Sequence, residues 1–351
     1  MGLGVKMEKV IEVAKIGLEG IVASWEVVNP DGSIAQACYT PSKNLILDVG
    51  LDMIGNNTSI PFCFGFFAIG TGTSDPAVGQ TTLDTETTYS PVARPAASGY
   101  SAYDTITIPA AAADPFIVVY QKGIQTDVGK INGTFTELGF GPTSTKGANL
   151  FSRFRVLDEE GFPTSVAVSS VQQLRLKYQL CIRFLPIVPT WYETAITGYD
   201  DTFGYTAGWQ SISAQTFGVC YINLLGLFGT QSAIMLSYYY YGSWRYPATT
   251  ITASVFSYSP LTTNVSRKTM GTGPATTATR DAYVPGSYAN YVNVLWTTLE
   301  SIGNIYGLQV SVTTQGNQDY DIWLCKFDTP INKPDTHNLS FKLKFSWGRD
   351  T

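Results

Sequence analysis

Leu174-Arg175-Leu176-Lys177-Tyr178-Gln179-Leu180-Cys181-Ile182-Arg183-Phe184 alternates apolar and polar residues without a break. Successive side chains on a strand point to opposite faces, so this run predicts a strand with one buried face and one basic face. Pro186 and Pro189 follow and stop it, which marks 185–190 as the expected domain boundary. The end of the chain mirrors the pattern, with Leu339, Phe341, Leu343, Phe345 and Trp347 alternating with Ser340, Lys342, Lys344 and Ser346. Each half therefore closes on a long amphipathic strand. The expected fold is mainly β, with two β-sandwich-like units of jelly-roll or immunoglobulin-like type and short helices near the N-terminus. The expected organisation is an N-terminal helical or extended arm over 1–20, a first β-domain over 21–186 and a second, Tyr-rich β-domain over 187–351.

Working outward, Val5, Val10, Val13 or Ala14, and Ile16 recur at a helical spacing, which predicts a helix over Val5 to Ile16 ended by Gly17 and Gly20. From Ile21 the chain reads as extended to Val28. Asn29-Pro30-Asp31-Gly32 is a turn, because Pro presets φ, Asp bonds the backbone ahead and Gly accepts positive φ. A returning strand then runs from Ser33 to Tyr39. Asn44 to Leu47 is an apolar run that meets a short helix, with Asp48 as its N-cap and Gly55-Asn56 as its stop. Phe62 to Ile69 reads as a buried strand, and Gly70-Thr71-Gly72-Thr73 opens a polar loop that lasts to about Glu86. A loop this long is usually functional or an interface element. Further strands are expected near 101–109, 115–121, 133–140 and 149–157, and in the second half near 216–228, 233–241, 250–258, 290–299, 305–314 and 320–327.

Composition narrows the function classes. The chain has 351 residues, 44% hydrophobic and 14% charged, with 22 Lys plus Arg against 27 Asp plus Glu. The acidic balance offers no basic field for a phosphate backbone, so nucleic acid is not an expected partner. No run approaches the roughly 20 apolar residues of a membrane helix, and Glu8, Glu12 and Glu19 interrupt the N-terminal segment, so neither membrane insertion nor a signal peptide is expected. A free monomer normally keeps a charged surface; this chain substitutes Thr, Ser, Asn, Gly and Tyr, as a protein packed against neighbours does. Cys38, Cys63, Cys181, Cys220 and Cys325 are widely spaced and read as reduced, mostly buried thiols, with a disulfide formed later in an oxidising medium as the alternative.

Signals for chemistry are sparse. His337 is the single histidine, and no G-x-S-x-G turn accompanies it. Asp319-Tyr320-Asp321 puts two carboxylates on one side of a strand without the loop a calcium ion needs. Gly70-Thr71-Gly72 and Gly141 to Lys146 lack a phosphate-loop order, and their glycines read as turn residues. A glycosidase needs two carboxylates at a working separation. Asp200 and Asp201 lie near Trp191, Tyr192, Tyr205 and Trp209, while Asp158-Glu159-Glu160-Gly161 reads as a solvated hairpin turn. No catalytic, metal or cofactor residue is assigned, and the chain is expected not to be an enzyme.

The aromatic cluster Tyr238, Tyr239, Tyr240 and Tyr241, with Trp244 and Tyr246, is the strongest local oddity. On a strand its alternate rings would face opposite sides, so some leave the core. These residues, with Trp191 and Trp209, are the candidates for a subunit interface or for glycan contact.

Three segments resemble a loosely related group of tailed-bacteriophage virion proteins, known as tail, fibre or collar components. They are Trp25-Glu26-Val27-Val28-Asn29-Pro30-Asp31-Gly32 with Asn44 to Leu51, Phe67-Ala68-Ile69-Gly70-Thr71-Gly72-Thr73-Ser74-Asp75-Pro76-Ala77 leading to Leu83 and Glu86, and Pro330 to Pro334 through Phe345-Ser346-Trp347-Gly348-Arg349. Phe135-Thr136-Glu137-Leu138-Gly139-Phe140 and Leu150-Phe151-Ser152-Arg153 add to the order. The resemblance implies a structural role in the virion, after synthesis in the host bacterial cytoplasm. It carries over no catalytic residue. A fibre shaft is missing, so the implied place is a collar, neck-surface, baseplate or fibre-attachment module that assembles with its own copies and other virion proteins. The alternative readings are a receptor-recognition protein for a host surface glycan and, third, a polysaccharide depolymerase.

Overall fold

A computed structural model describes residues 10–56, 63–87, 94–97, 105–107, 116–185, 190–195, 202–208, 248–256, 276–277, 279–296, 303–314, 319–333, 336 and 339–350. The described chain is mainly β with one short helix. The strands of the first half are β1 (Val10–Val28), β2 (Ile34–Cys38), β3 (Ser42–Ile46), β4 (Phe66–Gly70), β5 (Thr105–Thr107), β6 (Phe116–Gln125), β7 (Gly133–Phe135), β8 (Glu137–Gly141), β9 (Ser152–Arg155), β10 (Val166–Val168) and β11 (Gln173–Leu185). The helix α1 is Asp48–Gly55. The later strands are β12 (Thr190–Ala195), β13 (Thr202–Gly208), β14 (Ala248–Phe256), β15 (Thr276–Thr277), β16 (Thr279–Arg280), β17 (Ala289–Trp296), β18 (Gly303–Thr314), β19 (Asp319–Lys333) and β20 (Leu339–Arg349).

The decisive alternation holds. Leu174, Leu176, Tyr178, Leu180 and Ile182 are all buried on β11, while Arg175, Lys177, Gln179, Cys181 and Arg183 are half-buried on its other face. β11 pairs antiparallel with β1 on one side and β6 on the other. On its opposite edge β1 meets β20, β3 and β2 in turn, and the path continues through β9, β8 and β4. The sheet curls over its own core, because Phe140 of β8 lies 4.4 Å from Tyr178 of β11, ring to ring. Phe64 contacts Tyr120, Phe151 and Tyr178 in the same core.

Val10 to Ile16 is not helical as expected but the start of the 19-residue strand β1. The helical spacing there is weak, and β-branched Val10, Ile11, Val13 and Ile16 suit an extended chain once strands are available to pair. A register shift between Val22 and Ser24 then changes which residues face inward. Ile16, Leu18 and Val22 are buried before it, Trp25 and Val27 after it, so the bulge keeps the large apolar residues inside despite an odd spacing. The short helix is at its expected place, but Leu47 rather than Asp48 is its N-cap, and no side chain caps it. Asp48 instead occupies the first turn, where a negative charge suits the helix dipole.

Sheet membership does not follow the 185–190 division throughout. β16, β17 and β20 join the first-half strands in a twelve-stranded sheet, whereas β12, β13, β19, β18, β14 and β15 form a six-stranded sheet of their own. β20 runs parallel to β1, with Val10 opposite Lys342 and Leu18 opposite Arg349. Segments expected near 216–228 and 233–241 lie outside the described residues. Among the described residues, no helix is long and apolar enough to cross a membrane.

Candidate functional site: a tethered polar loop

The loop that follows β4 runs from Thr71 to Thr87, and its shape is set from beneath. Glu137, at the start of β8, is buried and presents its carboxylate to the loop backbone. Its Oε1 accepts the N–H groups of Gly72 at 2.8 Å and Thr85 at 3.0 Å, and its Oε2 accepts that of Asp84 at 3.1 Å. Arg153 of β9, with no side-chain exposure, lies 2.8 Å from both Glu137 Oε2 and Asp84 Oδ2. The same guanidinium donates to the backbone oxygen and hydroxyl of Ser74, and that hydroxyl bonds Asp84. One buried ion pair thus holds both arms of the loop.

A second pair fastens its far end. Arg94 and Glu86 meet in a two-pronged contact of 2.8 and 2.9 Å, and Arg94 also donates to Ala148 O. Glu86 accepts the Gly147 N–H, which ties in the turn after β8. Removing one member of a buried pair strands an uncompensated charge, so each network specifies the loop strongly. Burial pushes the Asp84 carboxyl up, yet its hydrogen bonds from Ser74 and Arg153 outweigh this and hold it below its ordinary value.

Gly72 is not a turn residue, as its sequence context implies, but a close-approach residue. A Cβ there would lie 2.4 Å from Glu137 Oε1 and 2.4 Å from Asp84 Cβ. At Gly70 a Cβ would lie 2.5 Å from the same carboxylate oxygen. The outward side of the loop exposes Thr71, Thr73, Ala77, Val78 and Thr81 beside the carboxylates of Asp75 and Asp84, and no lysine or arginine occurs between Gly70 and Thr87, although Arg155 of β9 pairs with Asp75 from outside it.

Asp158 to Gly161 is the expected hairpin turn, closed by the Asp158 N–H on Phe162 O at 2.9 Å, with Gly161 at φ 85. Glu159 does more than face solvent. It accepts hydrogen bonds from the Thr40 hydroxyl and the Tyr39 N–H, which hold its carboxyl below its ordinary value and tie the turn to the end of β2. Cys38 and Cys63 are buried and Cys181 is half-buried.

Trp191 lies on β12, where its backbone pairs with Thr206. Its side chain, together with Trp209, Tyr238, Tyr239, Tyr240, Tyr241, Trp244 and Tyr246, lies outside the described residues, as do Asp200, Asp201 and His337. Asp319 and Asp321 lie on β19, with side chains likewise outside them. Among the described residues no three His, Cys, Asp or Glu side chains gather as metal ligands. The loop as a whole is legible in the sequence, whereas the role of Glu137, Arg153 and Arg94 as its supports is not. A charged residue inside an otherwise apolar β-run, as in Glu137-Leu138-Gly139-Phe140 and Phe151-Ser152-Arg153-Phe154, was the available signal. No protein-family model, curated protein or solved structure matches this chain.

Proposed function

We propose that this protein is a structural component of a tailed-phage virion, acting through homo-oligomeric assembly at a collar, neck-surface, baseplate or fibre-attachment position. The observation that carries the reading is the 71–87 loop, an exposed segment with no Lys or Arg of its own that two buried ion pairs tie to the sheet beneath it. Pre-organisation of this kind lowers the ordering cost of association. The composition supports the same reading, since Thr, Ser and Tyr stand where a solitary protein carries ions, and so does the order of virion-like segments. Glu86, Glu137 and Arg153, which all belong to those segments, are members of the two networks. In this reading the two sheets belong to sandwich-like units of jelly-roll or immunoglobulin-like type, and assembly covers their exposed edges.

Size-exclusion chromatography with light scattering on the purified chain tests it. A discrete homo-oligomer is expected, and Thr73→Arg with Val78→Arg should lower its mass while the far-UV circular dichroism of the folded chain is kept, the unfolding midpoint falling only as far as the lost association requires. A monomer at every concentration overturns the reading.

A further inference from the structure

We infer that Asn44, Ser152 and Tyr178 hold an ordered water in the core between β1, β3, β9 and β11. The three residues come from separate strands and are fully enclosed, at 2%, 0% and 0% exposure. Asn44 alternates inward on β3 with Ser42 and Ile46, and Ser152 is the cross-strand partner of Ile46. Tyr178 reaches them from β11 because Gly20, which pairs with Asn44 on β1, has no side chain. A Cβ at Gly20 would lie 2.9 Å from the Tyr178 hydroxyl and 2.7 Å from Asn44 O. The phenol therefore passes over Gly20 toward β3.

Both amide atoms of Asn44 lack a hydrogen-bond partner in the protein, and the hydroxyls of Ser152 and Tyr178 find none beyond each other. An Asn amide has two donors and an acceptor, and each hydroxyl can serve as either, so together they offer the two to four polar contacts a buried water requires. The Ser152 hydroxyl neighbours that of Tyr178, and burial pushes the phenol and the nearby thiols of Cys63 and Cys181 up, which keeps all three neutral. The surrounding walls are apolar, with Phe140 and Phe64 ring centroids 4.4 and 5.4 Å from that of Tyr178. A small neutral molecule that donates and accepts fits this chemistry, and an ion does not. Held there, the water links β3 to β11 across β1 and secures the Gly20 to Asn44 register, because a one-residue slip would turn Asn44 outward.

A high-resolution crystal structure of the full chain tests the site. Solvent density within hydrogen-bond distance of the Asn44 amide and of the Tyr178 or Ser152 hydroxyl is expected. A direct bond between Asn44 and either hydroxyl, with no density between them, overturns the inference. In solution, water relaxation dispersion should show one fewer long-lived water in Asn44→Leu than in the unaltered protein. An unchanged count in a folded variant also overturns it, and if the variant does not fold the crystal density decides.

Discussion

Tyr283 stacks on Trp347, with ring centroids 5.7 Å apart and planes inclined by 27°. The pair joins the loop before β17 to strand β20, and both rings are fastened to α1. Tyr283 donates to Asp52, and Trp347 Nε1 donates to Leu51 O at 2.9 Å. Arg349 adds bonds to Ile46 O and Asp48, and the Asp350 N–H reaches Leu18 O. The C-terminal strand is thereby locked to the helix and to β1.

Trp347→Ala removes a buried ring, its stacking partner's contact and a hydrogen bond together. A loss of about 3–5 kcal/mol is expected from urea unfolding, at the level of other buried Trp truncations. Hydrogen exchange should rise in Leu339–Arg349 and in the β1 residues paired with it. Protection that stays unchanged would show that β20 is held elsewhere.

The ion pair beneath the loop gives a different signature. Glu137→Ala leaves Arg153 buried without its main partner, and about 3–5 kcal/mol should be lost. Replacing both, as Glu137→Leu with Arg153→Met, should recover much of that stability while the amides of 71–87 lose protection, since the loop N–H groups no longer find a carboxylate. Denaturant midpoints together with exchange rates separate the two effects.

Two glycines in the loop should respond oppositely to alanine. Gly72→Ala drives a Cβ against Glu137 and Asp84, and a clear fall in thermal midpoint is expected. Gly79→Ala meets no atom within 4 Å, so it should be neutral or stabilise by up to about 1 kcal/mol through the unfolded chain. Differential scanning calorimetry of the two variants measures this contrast.

Asp84 supplies an acid limb. Its carboxyl titrates lower in the folded protein than in the unfolded chain, so the unfolded state takes up the proton first as pH falls. The associated stability is fully present above the ordinary Asp value of about 3.9 and is lost as pH drops through the lower folded value. Asp84→Asn should flatten the slope of stability against pH below about 4. Partial exposure of the carboxyl keeps the effect small. Unfolding curves across that range, compared with the unaltered protein, test it.

Local pattern determined a good deal by itself. The alternation from Leu174 to Phe184 made β11 a one-sided strand, Pro30-Asp31-Gly32 made the first turn, and the 48–55 helix was readable from its apolar lead and its Gly-Asn stop. These depend on neighbours a few residues apart, and the periodicity of a strand or helix is written at that range. The tertiary structure decided the rest. Only pairing with β20 and β11 made Val10 to Ile16 extended, only a bulge turned Trp25 inward, and only the meeting of Glu137, Arg153 and Asp84 gave the 71–87 loop its shape. Those partners are separated by 16 to 79 residues along the chain in the hydrogen bonds that join Arg153 to Glu137 and Ser74. A contact that exists only after the sheet has curled leaves no period in the sequence, so a charged residue amid apolar ones is its sole local trace.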